Sequence, residues 1–337
     1  MKELICEKSK TAGGTSFFLL LGLLFLSGCT KDRIDPNGIG PGTTSYSLAS
    51  AQSIFIDSGK LLITGYANNS GHFSTRYWAD SISIDRSEFI ESVDNGTVFR
   101  ESVDESYRTV YSYKDLKGEN QKYRFDQGSL FRGGQNFFYK NDSIITLDTI
   151  AIGTVSSLSF LEGAPYYAGY FGKIVKTEAG DALSPVTPFI WNGGPALLEL
   201  PLPSEEAFFQ GTSNVHVEGP NEFYVGSRGS LPAYWKNTEP IVLDTRYGEV
   251  WQVTKSGTDV YAVGLINKDG SNSTGHTACY WKNEELVELE EDAQAYGIFV
   301  DGDDIYVSGS VGRVPVEYTP CFWKNGIRVD LPFHDRK

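Results

Sequence analysis

One short phrase is written six times along this chain, and that repetition limits the fold more than any other feature. Cys279-Tyr280-Trp281-Lys282-Asn283 returns as Ala233-Tyr234-Trp235-Lys236-Asn237 and as Cys321-Phe322-Trp323-Lys324-Asn325. Looser copies are Phe189-Ile190-Trp191-Asn192, Arg76-Tyr77-Trp78-Ala79-Asp80 and Phe137-Phe138-Tyr139-Lys140-Asn141. Five of the six tryptophans stand at this position, and from Trp191 onward they are 44, 46 and 42 residues apart. A fixed period of this size means a chain built of stacked supersecondary units.

Each unit reads as a four-stranded antiparallel meander. In the last one, Tyr296 to Gly302, Asp304 to Gly309, Thr319 to Asn325 and Gly326 to Leu331 are β-branched or aromatic runs punctuated by Gly, Asp and Asn. Asn325-Gly326 accepts the positive φ of a tight hairpin turn, and Asn192-Gly193 repeats the signal. Four strands at a period near 45 fit propeller blades rather than a helical solenoid. The expected fold is an all-β propeller over residues 46–337, with six blades and seven as the alternative count. The blades run in phase with the chain, so closure without a strand-swapped blade is expected. The tryptophans are read as fillers of the gaps between blades. In unit two, Arg108 to Tyr113 is the candidate second strand and Phe137 to Asp148 the closing hairpin; Glu91 to Gly134 resists parsing as an insertion.

The first 28 residues stand apart. Lys2, Lys8 and Lys10 precede an apolar run from Phe17 to Leu26, too short to span a bilayer as a mature helix. Leu26-Ser27-Gly28-Cys29 resembles a bacterial lipobox, which implies cleavage before Cys29 and acylation there with palmitate-type chains, each buried CH₂ contributing ~0.8 kcal/mol to membrane attachment. Thr30 after Cys29 implies sorting to a Gram-negative outer membrane, periplasm-facing or at the cell surface. Residues 29–45 are the lipidated Cys and a Gly/Pro/Thr-rich tether. The Tyr-Trp-Lys-Asn units resemble those of uncharacterised Bacteroidetes lipoproteins, a likeness that implies a propeller and no known activity. Asp80-Ser81-Ile82, Asp142-Ser143-Ile144 and Asp148-Thr149-Ile150 are similar to the short O-glycosylation sites of that group.

Chemistry is sparsely written. The net charge is −14, and −15 after loss of residues 1–28, which argues against nucleic acid or anionic lipid as partner. Cys279 and Cys321 occupy equivalent positions in successive units, about 10 Å apart across stacked sheets. Two free buried thiols are expected, a disulfide being the alternative. No metal motif, nucleophile elbow or phosphate loop occurs. Asn267 to Asn272 and Asp301 to Asp304 are oxygen-rich turns where Ca²⁺ is the alternative to plain turn chemistry; no cofactor is otherwise expected. Ser92 to Phe99 resembles the Asp-box of sialidase-like propellers, though a turn leading into a strand explains it equally.

Propeller loops joining strand two to three, and blade to blade, gather at one channel mouth. Here they carry Phe73, Tyr170, Phe171, Arg228, Arg246, Tyr247, Asp292, Tyr296, Arg313 and Tyr318, a set suited to stacking on sugars or gripping a peptide. The expected function is a lipid-anchored, monomeric envelope module that binds a glycan or a protein partner without catalysis. The alternative is a propeller glycoside hydrolase, sialidase-like enzyme or polysaccharide lyase. An aromatic platform at the mouth favours the first; three or more carboxylates with Arg favour the second.

Overall fold

A computed structural model describes residues 47–333 apart from 70–71, 104–107, 127–135, 148–151, 173, 178–179, 184–185, 206–207, 269–274 and 313–317. The signal, the lipidation position Cys29 and the tether lie outside the described residues. Residues 45–337 form one compact unit, a six-bladed β-propeller of antiparallel sheets.

Blade 1 is Ser47–Asp57, Lys60–Asn69, His72–Ala79 and Ile82–Ile84, in that order from first strand to fourth. Blade 3 is Ile152–Leu161, Ala164–Gly172, Thr187–Trp191 and Leu198–Glu199, with the hairpin Ile174–Thr177/Gly180–Leu183 branching between its second and third strands. Blades 4 (Phe209–Gly219, Glu222–Gly229, Ala233–Lys236, Glu239–Val242) and 5 (Gly248–Ser256, Asp259–Asn267, His276–Lys282, Glu285–Glu291) repeat the plan. So does blade 6: Ala293–Asp301, Asp304–Val311, Thr319–Lys324 and Ile327–Asp330.

The repeated phrase is a cross-strand latch. In five of the six copies its Asn (or Asp80) sits at positive φ, between 49° and 58°, in the turn after the strand that carries the phrase; Asn192 of blade 3 is the exception. That conformation lets the side chain reach sideways. The Oδ1 of Asn237, Asn283 and Asn325 accepts from the backbone N–H of Phe223, Val260 and Ile305 at 3.0, 2.9 and 2.8 Å. Each Asn also donates its own backbone N–H to the carbonyl of that same residue. The adjacent lysine finishes the latch: Lys282 pairs with Asp259 at 2.9 Å and lies over Tyr261, and Lys324 pairs with Asp304 at 2.7 Å and lies over Tyr306. Asn283→Ala is therefore expected to cost about 1–2 kcal/mol, from the lost hydrogen bonds and the αL strain on a Cβ residue. Asn283→Gly, which keeps the turn conformation, should lose less. Urea unfolding of the two variants reads the difference, and equal stability of Asn283→Ala and the parent would dispose of the latch.

The Trp explains why the blades stack. Trp78, Trp235, Trp281 and Trp323 are at most 1% exposed. Trp235 packs among Ala168, Ile190 and Leu200 of blade 3 and Val215 and Val225 of its own blade. The indole N–H of Trp235 reaches back to the Pro201 carbonyl, just after blade 3, at 2.7 Å. Trp78 does the same to the Pro332 carbonyl, just after blade 6, at 2.7 Å. That bond, the Ala49 N–H on the Tyr318 carbonyl at 3.2 Å, and a shared core of Ala49, Ile54, Trp78, Tyr306, Phe322 and Leu331 close the ring. Among the described residues no strand is exchanged, as the phase of the units predicts.

Blade 2 is where sequence and structure part. It has five strands, Val98–Val103, Arg108–Lys114, Asn120–Asp126, Phe137–Lys140 and Ser143–Thr146. Arg108–Lys114 pairs with the first strand as expected, but Asn120–Asp126 is inserted beyond it and takes over the latch: Asn141 Oδ1 accepts from the Lys122 N–H at 2.8 Å. A short helix, Arg86–Glu91, capped by Asp85 on the Glu88 N–H at 2.9 Å, fills the entry and buries Phe89 against Phe55, Tyr77 and Phe99. The hairpin after Trp191 also differs: the strand pairing resumes only at Leu198, and Asn192 caps the Gly194 N–H instead of forming a two-residue turn.

Cys279 and Cys321 are free and fully buried. Burial pushes both thiols well above their ordinary range, so they behave as small apolar side chains.

Candidate functional site

The site is created by a bulge that the first strand of each blade carries at the same place. The register slips at Ala51/Ser53, Arg100/Ser102, Val155/Ser157, Thr212/Val215, Val250/Gln252 and Ala295/Gly297. The extra residues are Gln52, Glu101, Ser156, Ser213-Asn214, Trp251 and Tyr296. A bulge breaks the strict alternation of faces and re-aims side chains. In blades 1, 3, 5 and 6 the facing second-strand residue is Gly65, Gly169, Gly264 or Gly309. A Cβ there would lie 1.8–2.2 Å from the carbonyl oxygen two residues before the extra one, so only glycine fits. Amide side chains beside the bulge tie neighbouring blades: Asn214 exchanges two hydrogen bonds with the Val253 backbone and Gln252 two with that of Ile298.

Every blade then contributes a side chain to one electrostatically coupled set. Blade 1 supplies Tyr66, blade 2 Arg100 and Tyr111, blade 3 Tyr170, blade 4 Arg228, blade 5 Tyr247, Glu249 and Trp251, and blade 6 Tyr296 and Tyr318. Arg100 interacts electrostatically with Tyr111 of its own blade, but also with Arg228 of blade 4, Tyr66 of blade 1 and Tyr296 of blade 6. Blades 2, 4 and 6 are not neighbours in the ring, so these groups meet on the axis. Arg228 stacks over the Trp251 indole, 4.3 Å from the ring centroid, and Trp251 meets Tyr296 edge to face at 5.3 Å. Glu249 stands 3.9 Å from Arg228 and receives the Tyr247 hydroxyl at 3.5 Å. Tyr296 donates to Gln294. The Tyr170 ring lies across Gly211 and edge-on to Phe209. Most of these side chains are half-buried.

The electrostatics follow from partial burial. Desolvation pushes the phenols of Tyr66, Tyr111, Tyr170 and Tyr296 up, and raises Tyr247 to about 12 with help from the Glu249 carboxylate. All are neutral hydroxyls at any physiological pH, able to donate and accept. Burial presses Arg100 below its ordinary range, and the Arg228 charge acts in the same direction. His276, bonded to Asn267 at 2.6 Å, is held down by burial against the pull of Glu249 and Asp292.

Of the residues singled out in the sequence, Tyr170, Arg228, Tyr247, Tyr296 and Tyr318 belong to this axial set. Asp292 lies beside it, acting on His276. Phe171 is instead a core residue against Phe189, and Arg246 is engaged by Asp244 at 2.6 Å and by Glu288 on blade 5. The Phe73 and Arg313 side chains lie outside the described residues, as does the turn 269–274 weighed for Ca²⁺. The second oxygen-rich turn, Asp301 to Asp304, is a tight turn whose Asp304 is held by Lys324 and Asn325. In the Asp-box-like stretch, Asp94 caps the Ser58 turn of blade 1 through its N–H and hydroxyl. No group of three or more His, Cys, Asp or Glu suited to a metal occurs among the described residues.

Tyr66, Arg100, Tyr111, Glu249 and Trp251 were not foreseen. One signal was available: Trp251 is the single tryptophan out of phase with the repeat. Glu101, the extra residue of blade 2, is a different matter. It is 2% exposed and saturated by Tyr77, by Arg86 at 2.6 Å and by Ser112 at 2.6 Å, an inter-blade tie rather than a reactive acid.

No protein-family model matches the chain, and no curated protein does. Among solved structures it is similar to an Aleuria aurantia lectin in complex with α-methyl-L-fucoside, at 10% identity and TM-score 0.41, over 86% of this chain and 96% of that one. It is also similar to the β-propeller domain of the Trilobed protease from Pyrococcus furiosus (8%, TM-score 0.40, 86% and 100%). A Trypanosoma rangeli sialidase in complex with the inhibitor DANA aligns at 10% identity and TM-score 0.39, over 82% of this chain and 55% of the sialidase.

Proposed function

We propose that this chain is a non-catalytic binding module of the bacterial envelope, tethered by lipid at Cys29, whose propeller axis holds a glycan. The observation that carries this reading is the axial set itself: seven phenol or indole rings and two guanidiniums, contributed by all six blades and converging from non-adjacent ones. Flat aromatic faces stack on the apolar faces of sugar rings, and fixed hydroxyl and guanidinium donors read the hydroxyls around them. One carboxylate, Glu249, enters the set among the described residues. The enzymatic alternative would draw on Glu249 together with Asp292, because both act on His276.

Thermal melting against a panel of purified polysaccharides, with reducing-sugar release followed in the same wells, separates the two. A glycan at a hundred times its Kd should stabilise the protein by ~2.7 kcal/mol and raise Tm visibly. Trp251→Ala and Tyr296→Ala should each weaken that glycan about tenfold, corresponding to ~1.4 kcal/mol. Product in the wells would establish the hydrolase or lyase instead. Silence across the panel would remove the glycan and turn attention to an envelope protein partner.

A further inference from the structure

We infer that the axial site selects an acidic saccharide, gripping its carboxylate or sulfate with the Arg100–Arg228 pair; this rests on the glycan-binding reading. The chain carries 43 acidic residues against 29 basic ones. Its axis inverts that balance. Two guanidiniums from blades 2 and 4 come close enough for Arg228 to act on Arg100 as a like charge. The groups acting most strongly on Arg100 are three phenols and this second guanidinium, not a carboxylate. Glu249 forms an ion pair with Arg228 at 3.9 Å from its Nε, longer than a hydrogen bond, so one carboxylate offsets one of the two charges and a net positive charge remains. The Nε atoms of Arg100 and Arg228 and the Trp251 Nε1 are buried with no hydrogen-bond partner.

Two guanidiniums held close together, the Arg228 side chain 36% exposed and both Nε atoms buried, repel each other unless an anion joins them. A guanidinium offers planar, bidentate donors matched to carboxylate, sulfate or phosphate oxygens. The surrounding rings supply the second half of the recognition. Tyr66, Tyr111 and Tyr296 are neutral hydroxyls at the same place, and Trp251 backs Arg228 from behind. A small inorganic anion would use the guanidiniums alone. An acidic sugar uses both halves, the charge on the arginines and the ring on the aromatics.

The test is titration calorimetry of the purified full chain with three ligands: an oligogalacturonate, the same oligosaccharide after carboxyl reduction, and a sulfated galactan oligosaccharide. At least one acidic ligand is expected to bind ten times or more tightly than the neutral one, with a gap that narrows as salt rises. Which acid wins distinguishes uronate from sulfate ester. R100M and R228M should each remove the gap, with melting curves confirming the fold. If R100M fails to fold, R228K serves in its place: it retains charge, loses the bidentate edge and should fall between parent and R228M. Equal binding of acidic and neutral ligands would overturn this inference and leave the glycan-binding module standing. Binding of none would remove both. An acid preference that survives the Arg228 variants would place the anion elsewhere and overturn the assignment.

Discussion

Replacing Trp78 by alanine is expected to destabilise the propeller by about 3–5 kcal/mol, the cost of a fully buried large aromatic with incomplete collapse around the void. The indole is 0% exposed and sits among Ala49, Ile54 and Ile63 of blade 1 and Phe322, Leu331 and Phe333 at the end of blade 6. It is a contact between the first and last blades, and among the described residues no exchanged strand shares the task of closure. The phenylalanine variants sharpen the argument. Trp78→Phe also abandons the Pro332 carbonyl, which its N–H reaches at 2.7 Å, and should lose ~1 kcal/mol beyond its packing loss. Trp281 has a buried N–H without a partner, so Trp281→Phe should show no such increment. Chemical denaturation of the four variants, Trp78 and Trp281 each to Ala and to Phe, measures all the terms. A Trp78→Ala loss below ~1 kcal/mol would mean that the ring is closed by other contacts, since deleting an inter-blade filler costs several times that.

Gly264→Ala is expected to be as severe, for a reason that involves backbone alone. A Cβ on Gly264 would stand 1.8 Å from the Glu249 carbonyl oxygen, 2.9 Å from its carbonyl carbon and 3.2 Å from the Val250 Cα. No rotamer relieves such a clash, so the first strand of blade 5 must move or the pairing must open. A loss of ~4 kcal/mol or more, the range reserved for forced backbone rearrangement, is expected. The clash falls on Glu249, two residues before Trp251, so any folded variant should also lose ligand binding. Gly302→Ala is the control: its Cβ would meet open space, and its φ of 58° leaves only the αL penalty of about 1–2 kcal/mol. Comparable melting of Gly264→Ala and the parent would mean that the bulge is soft rather than enforced.

The repeat-borne parts of this molecule were readable along the chain. The tryptophan spacing determined a ring of β blades because a repeated large side chain at one strand position has to be buried against a neighbouring copy of itself. The Lys-Asn pair determined the turns by purely local means, a positive φ and a side chain within reach of the adjacent strand. Free, buried Cys279 and Cys321 followed from the same periodicity. Blade 2 escaped because the inserted strand Asn120–Asp126 carries no Trp and takes the latch position through Gln121-Lys122-Tyr123, where blades 5 and 6 write Asp-x-Tyr.

The axial site was decided by tertiary structure. Arg100, Arg228 and Tyr296 are separated by more than a hundred residues in one case and by about seventy in the other, and only ring closure brings them together. The loops near the mouth were legible as aromatic and charged, and Tyr170, Tyr247 and Tyr318 of those loops are among the axial groups. Loop membership alone does not say which way a side chain turns, and so Phe171 went to the core and Arg246 to an ion pair. The direction of Trp251 depends on a bulge that the alternation of residues does not announce. Local sequence could specify the blade, since its forces act within one hairpin or between copies of one unit. The site required the bulge and the ring, which arise only when six such units pack around a common axis.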